Sequence, residues 1–148
     1  MPAQTKKQEQ TEERITSPVF AKGAYVFPNG DKYNGDFVHL PEGGLLRQGK
    51  GEHHGSDGLK YEGDWQDDKM HGKGKMTCAS GAIYEGDFDM NRFHGYGKYT
   101  WPDGSFFEGT FKENKMTGEG RFTDVNNEVW LGEFARNSAL DLKFKLNM

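Results

Sequence analysis

Two short segments invite a chemical reading. HGKG begins at His71 and HGYG at His94, and glycine-rich loops can cradle a phosphate with their backbone N–H groups. A phosphate loop needs GxxxxGK followed by Ser or Thr, set between a strand and a helix. Neither segment has that spacing, and TGEG at Thr117 fills the same place without a histidine. His53 and His54 are adjacent in GEHHG. Neighbours on a strand point to opposite faces, which makes them a poor metal pair. Cys78 is the only cysteine, so it offers neither a thiolate cluster nor an internal disulfide. Carboxylates of the Glu62 and Asp64 type recur along the chain. An active site should break such symmetry, and no Ser-His-Asp or Cys-His set stands out. The expectation is a non-enzymatic protein with no catalytic residue, no metal and no cofactor.

The recurrence itself is the stronger signal. Tyr61, Tyr84, Phe107 and Trp130 are spaced by 23 residues, as are Trp65, Phe88, Phe111 and Phe134. Gly63, Gly86, Gly109 and Gly132 keep the same interval, and so do the pairs Gly72/Gly74, Gly95/Gly97 and Gly118/Gly120. Several position classes on one period mark an internal repeat. An earlier copy opens at Tyr33 with YNGDF, including Gly35, and lies 28 residues before Tyr61. The five extra residues fit HLPEGGLL, 39–46, where Pro41, Gly43 and Gly44 suit a long turn. AYVFPNGDKY, from Ala24, reads as the second half of a still earlier copy.

Each copy reads as a β-hairpin. Tyr61, Gly63 and Trp65 share one strand face, while Glu62 and Asp64 share the other. Gly72, Gly74 and Met76 face one way, and Lys73 and Lys75 the other. QDDKMH makes the turn within the repeat, while CASG, WPDG and PNG turn between copies. Repeated central glycines disfavour helix.

This pattern resembles the MORN repeat family, through YEGDW…HGKGKM and its recurrence, from about Tyr25 to the C-terminus. The resemblance implies an all-β fold, an elongated, twisted, single-layer antiparallel sheet of repeated hairpins. It also implies scaffolding roles, since members occur in cytoskeletal, ciliary, junctional and sperm proteins.

Composition agrees with a repeat. The chain has 148 residues, enough for one domain, but only 33% are hydrophobic, which is thin for a conventional core. Aromatics at 14% and 21 glycines at fixed spacings argue against general disorder. A net charge of −4 leaves no basic footprint, so no nucleic-acid partner is expected and membrane binding is the weaker alternative. No run reaches the length of a membrane helix, and MPAQTKKQEQTEERI lacks a secretory leader. The expected location is the cytoplasm, with a cilium or cytoplasmic vesicles as narrower settings the resemblance suggests.

Glycine between aromatics needs compensation, because it weakens a strand. The reading here is spatial: Tyr61 and Trp65 fold over Gly63, and Gly72 and Gly74 let rings approach the backbone. A single layer cannot cover its own apolar face. Tyr33, Tyr61, Trp65, Tyr84, Phe88, Phe107, Phe111, Trp130 and Phe144 are therefore the candidate contacts for another protein. A helix or extended segment docking on the aromatic face is the expected partner. Met76, Tyr99, Trp101 and Phe122 extend that face. Residues 1–17 are polar and expected to be disordered, with the repeat domain over 18–139. In 140–148, Leu140, Leu142, Phe144 and Leu146 alternate with charges, as a terminal strand that caps the sheet or leaves an edge.

Overall fold

The structure, a computed structural model, describes residues 18–135, 138–139 and 143–145. The tail over 1–17 and most of the terminal segment over 140–148 lie outside the described residues. The strands are β1 (Val19–Val26), β2 (Lys32–His39), β3 (Leu45–His54), β4 (Lys60–Gln66), β5 (Lys69–Thr77) and β6 (Ile83–Asp89). They continue as β7 (Arg92–Thr100), β8 (Phe106–Lys112), β9 (Lys115–Thr123), β10 (Val129–Ala135), β11 (Ser138–Ala139) and β12 (Lys143–Lys145). All belong to one sheet whose order follows the chain from β1 to β11, with β12 pairing β10. The sheet is an elongated, twisted, open, single antiparallel layer.

Turn chemistry sets the hairpins. Asp67–Asp68, Met90–Asn91 and Glu113–Asn114 all have positive φ at both positions, between 48° and 69°. That is the two-residue type I′ turn, whose twist matches its flanking strands. The turn is narrower than QDDKMH suggested: β5 begins at Lys69, so Met70 and His71 are strand residues. Left-handed backbone costs a non-glycine residue about 1–2 kcal/mol. Hydrogen bonds to the preceding repeat offset this. The N–H groups of Asp68, Asn91 and Asn114 donate to the carbonyls of Arg47, Met70 and Phe93 at 2.9, 3.0 and 3.1 Å. In return, the N–H groups of Arg47, Met70 and Phe93 donate to the Oδ1 atoms of the same turn residues at 3.1, 2.9 and 2.9 Å. Each turn thus fastens its hairpin to the strand one repeat earlier.

Within 39–46, His39 ends β2 and Leu45 and Leu46 open β3. Pro41 to Gly44 form the turn, closed by the Leu40 N–H on the Gly44 carbonyl at 3.2 Å. Part of the extra length enters the strands, since β3 runs for ten residues and pairs Leu45 with His39.

Glycine meets glycine at every ladder from β1 to β10. The line runs Gly23, Gly35, Gly51, Gly63, Gly74, Gly86, Gly97, Gly109, Gly120, Gly132. The reason is close approach of rings: a Cβ built on Gly74 would sit 2.6 Å from Tyr61 Cζ. Beside the line, β5 bulges opposite Asp64, between the Gly63–Gly74 and Trp65–Met70 pairs, and Gly72 takes a left-handed φ of 71°. Asp64 completes that bulge by accepting the Lys73 N–H at 3.1 Å, as Asp87 does for Tyr96 and Asp36 for Lys50, both at 3.2 Å. The aspartate of YEGD is therefore a backbone cap as well as a surface charge.

Candidate functional site

Seven of the nine expected contact residues are buried in this chain. Tyr33, Tyr61, Trp65, Tyr84, Phe88, Phe107 and Phe111 are all at most 5% exposed. They are covered by this chain. The first ring of each repeat lies flat over the glycine line, and the second stands against it. Tyr61 meets Trp65 at 5.0 Å and Phe88 at 5.1 Å, and Tyr84 meets Phe88 at 5.1 Å and Phe111 at 5.0 Å, all edge to face. Phe107 continues the chain to Phe111 and Phe134. A flat ring on bare backbone needs little depth, which is how one layer buries its aromatics. Trp130 is half-buried, with its Nε1–H donating to Asp124 Oδ2 at 3.3 Å. Phe144 lies opposite Trp130 in register.

The tyrosine hydroxyls are used inside the repeat. Tyr61 and Tyr84 donate to the carbonyls of Asp64 and Asp87, both at 2.7 Å, and Tyr33 donates to that of Asp36. Burial pushes the Tyr33 hydroxyl up to about 12, with Asp36 adding to the shift and Arg47 opposing it. Tyr61 and Tyr84 are also raised, first by burial and then by Asp64 and Asp87.

A second, partly accessible aromatic layer rests on the first. Phe93, Tyr99, Trp101, Phe111, Asn114 and Met116 line a concavity of about 340 Å³. Phe93 stacks on Tyr84 at 3.9 Å and 12°, and Tyr99 meets Trp101 edge to face at 5.0 Å. Phe93, Tyr99 and Trp101 are each only partly buried. Sequence reasoning placed Tyr99 and Trp101 on this face but missed Phe93 and Met116. The signal was present: Met70, Phe93 and Met116 share the 23-residue period. They were hidden in a segment read as turn.

The pattern that defines the MORN repeat matches residues 61–83, 84–106 and 107–129. These are tandem MORN repeats. Comparison with curated proteins found no match. The matched MORN hairpins begin at β4, and the same lattice of strands continues on both sides of them.

Upstream of the matched MORN repeats, the second layer changes character. Arg47 and His53 occupy the places that Met70 and Met76 hold in the next repeat. Arg47 Nε donates to Asp68 Oδ1 at 2.7 Å, and Nη1 contacts His53 Nδ1 at 3.0 Å. His53 Nε2 contacts Asp31 Oδ2 at 3.1 Å. Arginine only donates and a carboxylate only accepts, so Nδ1 accepts and Nε2 carries the proton. The guanidinium also lies over the Trp65 ring, 4.2 Å from its centroid. Ser56 N–H holds the Asp31 carboxyl below its ordinary range, against burial and with help from His53. Among the described residues no group of three His, Cys, Asp or Glu side chains could hold a metal.

The opposite face of the sheet is polar. One rung reads Glu52, Glu62, Lys75, Glu85, Lys98, Glu108, Arg121 across successive strands, with alternating sign after the first pair. Lys50 and Lys73 bridge to Asp64 and Asp87 beside the glycine line. Burial raises the Asp64 carboxyl, but Lys50 and the Lys73 N–H outweigh it and leave a net lowering. The groove between these rows encloses about 680 Å³.

Proposed function

We propose that this chain is a protein-interaction scaffold that anchors a partner's apolar side chain in the Phe93–Tyr99–Trp101–Met116 concavity. The observation that carries the reading is the partial exposure of Phe93, Tyr99 and Trp101 around one concavity, in a repeat whose Tyr84 and Phe88 are buried. Tyr and Trp are the residue types that dominate binding hot spots, and a concavity of about 340 Å³ accepts a side chain or two. The docking segment is a helix or an extended stretch laid along the aromatic face. The family resemblance extends the proposal to a cytoplasmic cytoskeletal or ciliary assembly, with the repeat pattern as its support.

The test compares Trp101→Ala with Lys73→Ala in capture of the partner recovered on the unmodified protein. Trp101→Ala should weaken capture about 30-fold, as loss of a hot spot does, and leave the circular-dichroism spectrum unchanged. Lys73→Ala should bind normally. Equal capture by all three proteins would remove the concavity as the anchor. Binding to anionic vesicles with no protein partner would favour a peripheral membrane module instead.

A further inference from the structure

The two ends of the sheet are finished differently. The outer edge of β10 is paired by β11 and β12. The outer edge of β1 has no partner among the described residues. This strand, VFAKGAYV, is eight residues long and carries a single charge, Lys22. Phe20 is 77% exposed and Val26 is 62% exposed, the most open large apolar residues of the strand. A long edge with exposed apolar residues and little charge is a template for another strand.

We propose that β1 pairs antiparallel with β1 of a second copy of this chain, with Gly23 opposite Gly23 of that copy. The glycine line fixes the register. It crosses every ladder and arrives at the edge on Gly23. A two-fold axis perpendicular to the sheet through Gly23 extends it into the second copy and keeps both aromatic faces on one side. Phe20 then stands opposite Val26 of the second copy, Ala21 opposite Tyr25, and Lys22 opposite Ala24. The axis repeats each pair, so the two most exposed apolar side chains of each strand cover one another. The one charge meets an alanine. Moving the axis to Lys22 sets lysine against lysine, which is destabilising for directly opposite like charges. Moving it to Ala24 sets Gly23 against Tyr25 and Lys22 against Val26. The self-complementary pairing is the isologous contact expected of a symmetric dimer. It involves neither the aromatic concavity nor the partner proposed for it.

Gly23 also makes the proposal testable. Unlike the glycines within the line, it has room for a side chain: a Cβ there would meet only Phe37, at 3.8 Å. Directly opposite strand residues have Cα atoms about 4.5–5.5 Å apart, within the range a disulfide spans. The full chain carrying Cys78→Ser should sediment as a concentration-dependent dimer. Adding Gly23→Cys should give an oxidised covalent dimer at least tenfold faster than adding Lys22→Cys. Phe20→Lys should shift the protein to monomer with an unchanged circular-dichroism spectrum. A monomer across the accessible concentration range overturns the proposal. So does a dimer that survives Phe20→Lys, or cross-linking at Lys22→Cys as fast as at Gly23→Cys. If Phe20→Lys fails to fold, the cross-linking comparison still decides.

Discussion

Arg47–His53 and Met70–Met76 occupy equivalent places one repeat apart, on the same backbone and against the same layer of flat rings. In one repeat the pair is charged and hydrogen-bonded; in the next it is apolar. The lattice tolerates both because its stability lies beneath them, in rings pressed on glycine and in turns fastened to the preceding strand. The polar pair persists because Asp31, Asp68 and the Trp65 face satisfy it. The second layer is therefore the variable part of this fold, the place where individual repeats can differ without disturbing the sheet.

Alkaline pH should produce the largest effect. A hydroxyl raised on folding stabilises the protein fully below its unfolded value and loses that contribution as pH rises through the folded one. Unfolded tyrosine ionises near pH 10 and Tyr33 near 12, so stability should fall from pH 10 upward. Absorbance of tyrosinate, followed with circular dichroism, should show the buried tyrosines ionising together with loss of structure. Because Arg47 opposes the Tyr33 shift, Arg47→Met should move Tyr33 upward.

Gly74→Val comes next, at a cost of about 3 kcal/mol in chemical denaturation, because the added carbon enters the Tyr61 ring. The comparison itself is broken by Arg47→Met, which leaves Asp68 and His53 short of a partner. It should cost about 2 kcal/mol. Adding His53→Met imposes the pair of the following repeat and should recover at least half of that loss. If the double variant is the sum of its single ones, the two repeats are not interchangeable. Tyr84→Phe removes one hydroxyl bond to the Asp87 carbonyl and should cost about 1 kcal/mol by thermal melting. Lys73→Ala should change stability by less than about 0.5 kcal/mol, because an exposed ion pair contributes little.

Much of the fold is legible because its signals are local and periodic. The Tyr-x-Gly-x-aromatic pattern places alternate residues on one strand face, and spaced glycines define hairpin and turn. Asp67–Asp68 was harder to read. Without glycine it carries no type I′ signal in the sequence, and Met70 with its equivalents Phe93 and Met116 falls in the segment that reads as turn. The function of Asp64 was equally hidden, since its role as a cap depends on a bulge in the neighbouring strand.

By itself the sequence determined the period, the antiparallel hairpins, the insertion over 39–46 and the need for glycine beneath the rings. These follow from residue type and spacing along one strand. Only the tertiary structure decided that Tyr61 and Trp65 are closed over by their own chain, and that Phe93, Tyr99 and Trp101 form the accessible layer above them. Burial depends on which residues of neighbouring strands lie over a ring. The spacing of one strand records that the ring exists, and the register of three strands sets what covers it.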